Sequence, residues 1–277
     1  MAADRSMSLT GEPGRGIRLL VADPDLGSEL APDALERARD QVVFPGIELD
    51  PGPLEIDRLR HAAGVRAPLH GYLVIGGSLA INLQMSGRRC TRLIGSRELV
   101  LLDGIQGDSI PLNWEWSVLA PARLVLLDAR LHAVARHWPP LMSAILERAA
   151  QQTRHAFLQQ AISQLPRVEE RLLALFWSIA DRQGVVRSDG VWVELSATHD
   201  TLASMVGAQR PTVSLGLTRL AEGGLVRAEN GGWLIARDSL DAFAKPSPTA
   251  GSEINRGDDV LAAPPGPLPE NPAGEKG

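Results

Sequence analysis

Ala197-Thr-His-Asp-Thr-Leu-Ala-Ser-Met-Val-Gly-Ala-Gln-Arg-Pro-Thr-Val-Ser-Leu-Gly-Leu-Thr-Arg-Leu-Ala-Glu-Gly-Gly-Leu-Val226 is the stretch whose pattern decides the C-terminal fold. Thr198 is placed to N-cap a first helix, its hydroxyl accepting from an otherwise unpaired backbone N–H. Leu202, Ala203 and Val206 give that helix an inward face. Gly207 and Ala208 follow as a tight turn, where a residue that tolerates left-handed dihedrals is needed. Gln209 or Arg210 starts a second helix, and Pro211 falls in its first turn, where a missing N–H loses no helical bond. Val213, Leu217 and Leu220 recur at four- and three-residue steps and face inward. The pattern is a helix-turn-helix.

The flanks complete a small domain from Pro166 to about residue 244. Val168–Arg182 reads as an amphipathic helix with Leu172, Leu175, Phe176 and Ile179 on one face, and Val191–Leu195 reads as a short strand. Leu225–Glu229 and Trp233–Ala236 flank Asn230-Gly231-Gly232, a strong hairpin signal that supplies a wing. Before Pro166, Pro139-Pro140 opens a run free of Gly and Pro, about 25 residues and about 37 Å long as a helix. Its apolar residues fall at three- and four-residue steps, although Gln152, Gln159 and Gln160 interrupt the seam. Further upstream the texture changes. Tyr72–Gly77, Leu79–Met85, Cys90–Ile94, Glu98–Leu102, Trp116–Leu119 and Ala122–Asp128 are short runs separated by Gly-rich turns, among them Ser86-Gly87. That spacing predicts an antiparallel β-roll over 16–138, with one helix from Pro32 to Asp40. Residues 1–15 are expected to be disordered. So is the tail 245–277, where Pro246–Gly277 holds seven prolines, five glycines and no aromatic residue. It reads either as a partner-binding tail or as an inert extension.

Composition narrows the function. The 277 residues carry a formal charge of −5, so no chain-wide positive field advertises nucleic acid or an anionic membrane. Of the 28 basic residues only Lys245 and Lys276 are lysines. A single cysteine, Cys90, excludes an internal disulfide framework, a four-cysteine zinc site and an all-cysteine iron–sulfur cluster. With no secretory apolar region at the N-terminus and no membrane-length apolar run, the sequence reads as cytoplasmic. No GxSxG, HExxH, Walker loop or CxxC is present. The chain is therefore expected not to be an enzyme, and to hold neither metal nor cofactor.

The exposed set near the second helix is Gln209, Arg210, Thr212, Ser214, Leu215 and Arg219. It combines hydrogen-bond donors with two cations and has no carboxylate before Glu222. Such a helix suits a groove lined by phosphates. Against it stands the balance of residues 166–240, eight arginines to nine carboxylates.

A strand-rich sensor, a long helix and a winged helix in this order resemble the Crp/Fnr family of bacterial transcription regulators. The resemblance covers roughly 16–244 and is strongest in 162–236, including Gln164-Leu-Pro-Arg-Val-Glu-Glu-Arg-Leu-Leu-Ala-Leu-Phe-Trp and Arg210-Pro-Thr-Val-Ser. It implies a homodimer paired through the helix 139–165, with each subunit placing helix 210–222 in the major groove of a two-fold-symmetric operator. Double-stranded DNA, a second copy, RNA polymerase and a small-molecule effector are the partners it implies. Where well-studied members open the recognition helix with Arg–Glu–Thr–Val, this chain matches at Arg210, Thr212 and Val213. Pro211 replaces the Glu, and Leu215 replaces a later Arg, so the operator must differ. Arg210 and Gln209 are then the expected base readers. Thr198, His199, Thr212 and Arg219 are the expected phosphate contacts, and Leu215 is suited to a thymine methyl.

The sensor departs further. The family's cyclic-nucleotide site uses a Gly-Glu pair and an Arg-Ser/Thr, and neither occurs between Leu99 and Ser117. Without that guanidinium a buried phosphate lacks its charge partner, which disfavours cyclic AMP. Trp114 and Trp116 flank Glu115 in the same region. Two indoles two residues apart share a strand face, for stacking on a planar ligand or for core packing. Cys90, near Arg88, Arg89 and Arg92, reads as an oxidant-sensing thiol or a structural one. His70, His132 and His137 are available as haem ligands, but no motif singles one out. The fold class is α+β. The functional alternative to a DNA-binding regulator is a ligand-binding or interaction module with a vestigial helix-turn-helix.

Overall fold

The computed structural model describes residues 15–61, 64–101 and 113–240. The expected tail 245–277 and all but the last residue of the expected disordered N-terminus lie outside them. Arg15 already belongs to the fold, its carbonyl accepting from the Gly46 amide at 3.0 Å.

The N-terminal half is built on an antiparallel sheet. Its strands are β1 (Gly16–Arg18), β2 (Val43–Leu49), β3 (Gly52–Leu54), β4 (Gly71–Met85), β5 (Arg88–Ile94), β6 (Leu99–Leu101) and β7 (Asn113–Leu127). The strand order is β1-β2-β7-β4-β5, with β3 also paired to β7 and β6 to β4. Four helices accompany it: α1 (Leu19–Ala22), α2 (Pro32–Gln41), α3 (Ile56–Arg60) and α4 (Arg130–His137). One face of the sheet buries Ile47, Tyr72, Ile81, Trp116 and Leu124. On the other, Phe44, Leu73, Leu99 and Val125 pack with Leu19, Leu20 and Leu141.

Two corrections follow from β4 and β7. The segments Tyr72–Gly77 and Leu79–Met85 read as separate strands but form one 15-residue strand. Trp116–Leu119 and all of Ala122–Asp128 but its last residue likewise fall within the single β7. The register between the two slips at Val74/Gly76, Gly76/Ser78 and Ser78/Leu79. Gly77 absorbs the slip at φ +76°, and a Cβ there would run into the backbone of Pro121 and Ala122. The Gly-Gly pair that looks like a turn is thus a bulge, which lets a long strand bend without ending. Helix α4 was not expected either. It is short, and its N-cap residue, Ala129, carries no capping side chain.

Helix α5 (Pro139–Gln164) is the expected long helix, 26 residues with Pro at its start. It is apolar on two faces. Leu141, Ile145 and Ile162 are buried inward, while Leu146, Phe157 and Leu158 are exposed. Arg148 anchors it, reaching the buried Asp23 carboxylate at 3.3 Å and the Arg97 carbonyl at 3.0 Å. Burial pushes the Asp23 carboxyl above the ordinary range, against the pull of Arg148.

The C-terminal half comprises α6 (Val168–Gln183), β8 (Val185–Arg187), β9 (Gly190–Glu194), α7 (His199–Val206), α8 (Arg210–Glu222), β10 (Val226–Glu229) and β11 (Gly232–Ile235). The sheet order is β10-β11-β9-β8, and Asn230 and Gly231 turn the hairpin with φ of +50° and +76°. Phe176, Ile179, Leu202, Val206, Val213 and Leu217 fill its core. Helix α8 comes close to α6 at Gly216, where a Cβ would stand 3.1 Å from Leu172 Cδ1. Strand β5 joins this core as well, through Leu93.

Two glycines with positive φ separate conformational cost from steric cost. Gly87 (φ +73°) has open space around a would-be Cβ, whereas Gly77 does not. Gly87→Ala is expected to cost about 1–2 kcal/mol, the left-handed penalty alone. Gly77→Ala is expected to cost clearly more, and chemical denaturation of the two variants side by side checks the order.

Candidate nucleic-acid interface

The helix-turn-helix is assembled as its residue types require. The Thr198 hydroxyl accepts from the Thr201 amide at 3.1 Å and caps α7. Gly207 closes α7 in the left-handed region (φ 64°, ψ 39°), and the Ala208 amide reaches back to the Ala203 carbonyl at 2.9 Å. Arg171 crosses from α6 to the carbonyls of Val206 and Gly207 at 3.3 and 3.4 Å, so a cation meets the negative end of the α7 dipole. Helix α8 then starts at Arg210, with Pro in its first turn and Val213, Gly216, Leu217 and Leu220 buried.

The residues singled out from the sequence differ in how free they are. Gln209, Arg210, Thr212 and Leu215 are exposed. Leu215 is an apolar side chain standing 51% open on an otherwise polar face. Arg210 leans toward Asp200 on α7, a long pair at 3.7 Å between two highly exposed groups. Water screens such a pair, so it restrains Arg210 weakly. Ser214 is half-buried and committed. Its hydroxyl donates to the Arg210 carbonyl at 3.1 Å, so it accepts from His199 Nδ1 at 2.8 Å. The single hydroxyl proton fixes His199 as the Nδ1–H form and leaves Nε2 as its remaining polar atom.

Arg219 is the most constrained of the set, donating to Glu169 Oε1 on α6 at 2.6 Å. That hydrogen bond, more than any other influence, holds the Glu169 carboxyl below its ordinary range. The wing adds Ser196, whose hydroxyl donates to the Gly231 carbonyl at 3.4 Å, and Asn230 at its tip. Sequence reading missed Asp200, Glu169 and Arg171 as partners. Glu169 and Arg171 lie outside the motif and Asp200 sits on its other helix, so no local spacing reveals them. Arg227 on the wing is likewise occupied, by Glu229 at 2.8 Å and Asp189 at 3.4 Å.

The expected sensor residues are not brought together. Strand alternation puts Trp114 and Trp116 on one face of β7 and Glu115 on the other, where Glu115 is exposed and accepts from Gln84 at 3.4 Å. Trp116 is buried in the sheet core. Trp114 alone of the three lines a cavity of about 860 Å3 between the sheet and α5, with Ile81, Leu83, Val100, Ile145 and Leu146. His70 stands at the same cavity with Nε2 buried and unpaired, its ring 4.9 Å from that of His132. The Cys90 thiol is pushed up by desolvation, away from thiolate, and its neighbouring arginines do not reverse this.

Residues 167–243 match the Crp-like helix-turn-helix domain family. This segment is similar to a Crp-like helix-turn-helix domain. Solved structures extend the likeness along the chain as a likeness of fold. CooA from Carboxydothermus hydrogenoformans is 15% identical with a TM-score of 0.54, over 81% of this chain and 93% of that one. A cyclic nucleotide-binding domain containing protein from Listeria monocytogenes is 15% identical with a TM-score of 0.58, over 78% and 98%. A CRP-family transcriptional regulator from Thermus thermophilus is 17% identical with a TM-score of 0.50, over 71% and 93%. No curated protein sequence matches the chain. The α+β architecture thus joins a Crp-like domain to the fold of Crp/Fnr-type regulators, and among the described residues no helix is long and apolar enough to cross a membrane.

The Glu169–Arg219 pair carries a pH signature within the Crp-like domain. A carboxyl with a depressed folded pKa contributes stability above its ordinary pKa and loses it as pH falls through the lower folded value. Wild type is therefore expected to melt above Glu169→Gln at neutral pH, the gap closing below about pH 4. Thermal melts of both proteins across pH 3–7 check it.

Proposed function

We propose that this protein is a homodimeric, sequence-specific transcription regulator that reads an inverted-repeat operator through helix 210–222. The observation that carries the proposal is the exposed face of α8. Gln209, Arg210, Thr212 and Leu215 stand open to solvent on a helix whose other face is buried. Arg210 and Gln209 read bases, Arg210 exchanging its screened Asp200 contact for a guanine edge. Thr198, His199, Thr212 and Arg219 meet phosphates, Arg219 doing so from its position beside Glu169. Ser214 acts indirectly, orienting His199. Leu215 takes a thymine methyl. The protein works by binding rather than catalysis, in the cytoplasm, with RNA polymerase as its further partner.

Pairing of two copies is supported by α5, on which Leu146, Ala150, Phe157 and Ala161 recur at four-, seven- and four-residue steps along an exposed stripe. Phe157 is 72% exposed and Leu146 62%, an unusual state for a helix already buried on its opposite side. The effector is a small molecule other than cyclic AMP. The cavity at Trp114 favours an apolar ligand, and Arg92 is the one arginine among its described lining residues.

Selection of bound duplexes from a random pool, with purified protein at physiological salt, tests the reading. An inverted repeat with half-sites about one helical turn apart is the expected product. No enrichment, with or without added metabolites, favours the alternative of an interaction module with a vestigial helix-turn-helix. On the selected site Arg210→Ala is expected to cost about 1–3 kcal/mol, with binding to random DNA nearly unchanged. Equal loss on both would make Arg210 a phosphate contact. Phe157→Glu is expected to yield a monomer in sedimentation experiments, because a charge buried in the seam lacks a partner.

A further inference from the structure

A second cavity, of about 580 Å3, opens where the β4–β5 hairpin, α5, α6 and α7 meet, beside the cavity at Trp114 and sharing Leu83, Cys90 and Arg92 with it. Its volume lies in the range of small-molecule sites. Leu83, Leu93, Leu175 and Met205, from four different elements, give it apolar walls. Among its described lining residues the charged side chains are Arg88, Arg89, Arg92 and Arg182, with no carboxylate.

The polar atoms here are incompletely paired. Arg92 Nη2 and His155 Nδ1 are both buried and make no hydrogen bond. Arg92 Nη2 stands 3.8 Å from Glu98 Oε2, too far to share a proton. The other Glu98 oxygen is taken by Arg182 and by the Gly95 amide. One buried carboxylate therefore faces two guanidiniums and bonds one of them, its Oε2 being buried without a hydrogen bond as Arg92 Nη2 is. Desolvation lowers the pKa of Arg92 and of His155, the latter also under the field of Arg182. An incoming carboxylate at Arg92 supplies the hydrogen bond that Glu98 stands too far away to make, and a buried donor gains most from a charged acceptor.

We infer that this cavity binds an organic anion with an apolar body, a medium-chain or aromatic carboxylate. Its carboxylate sits at Arg92, and its body lies against Leu83, Leu93, Leu175 and Met205. Such a ligand touches β5 of the sheet, α5, and α7 of the helix-turn-helix at once. It would bridge the two halves at a place separate from the face of α8.

Isothermal titration of the full chain without DNA tests this independently of any operator. The probes are decanoate below its micellar concentration, decanol, and inorganic phosphate. Decanoate is expected to bind saturably, decanol at least about ten-fold more weakly, and phosphate not measurably, ten-fold being about 1.4 kcal/mol. Ala156 lines the cavity from an exposed position on α5. Ala156→Trp is expected to block decanoate, and Arg92→Gln to reduce it to the decanol level. Gln152→Trp, which obstructs only the cavity at Trp114, should leave binding intact. Absence of saturable decanoate binding, equal affinity for decanol, or retention in Ala156→Trp with loss in Gln152→Trp would each overturn the assignment.

Discussion

Glu98 is the charge on which the joint between the halves depends. It is 9% exposed, sits just before β6, and accepts from Arg182 on α6 and from the Gly95 amide, with Arg92 at longer range. A carboxylate at that depth is costly unless paired, so its partners cannot be withdrawn singly without leaving a charge stranded. Around it the contacts agree. Thr91 Oγ1 donates to Asn82 Oδ1 at 2.7 Å and lies 2.6 Å from Ser204 Oγ on α7. Gln159 of α5 donates to the Met205 carbonyl. The helix-turn-helix is therefore held to the sheet half and α5 by hydrogen bonds on its concealed side, while Gln209, Thr212 and Leu215 stand exposed on the other.

That division explains a tension in the charge count. A domain with more carboxylates than arginines looks ill-suited to a polyanion. Four of the nine, however, are held in pairs with arginines: Glu169 with Arg219, Glu229 with Arg187 and Arg227, Asp189 with Arg227, and Asp200 with Arg210. The pairing sets how much freedom each arginine retains. Arg210, in a long and doubly exposed pair, exchanges partners at small cost, whereas Arg219 gives up a short hydrogen bond to do the same.

Most of the C-terminal half was legible because its signals are local. Thr198, Gly207, Pro211 and the Val213–Leu217–Leu220 spacing each dictate a backbone conformation within a few residues. Asn230-Gly231 does the same for the wing. The N-terminal half was legible in kind but not in detail. Gly76-Gly77 has the same composition whether it turns a chain or bulges a strand, and the choice is made by Pro121, forty-four positions away. Glu115 faces away from the two indoles that flank it, since neighbours along a strand point to opposite sides of the sheet. The joint was invisible altogether, because nothing around Glu98 or Leu93 in sequence points to α6 or α7.

Leu93 belongs by sequence to the sheet half yet is buried within the C-terminal core beside Leu175, Met205 and their neighbours. The boundary at Pro166, so plain in composition, is thus not the boundary of the hydrophobic unit. Shuffling of such modules between regulators, in nature or in the laboratory, cannot treat the reading head as a cassette severed at the hinge. A graft made there would inherit a gap where a β-strand from another part of the chain ought to be.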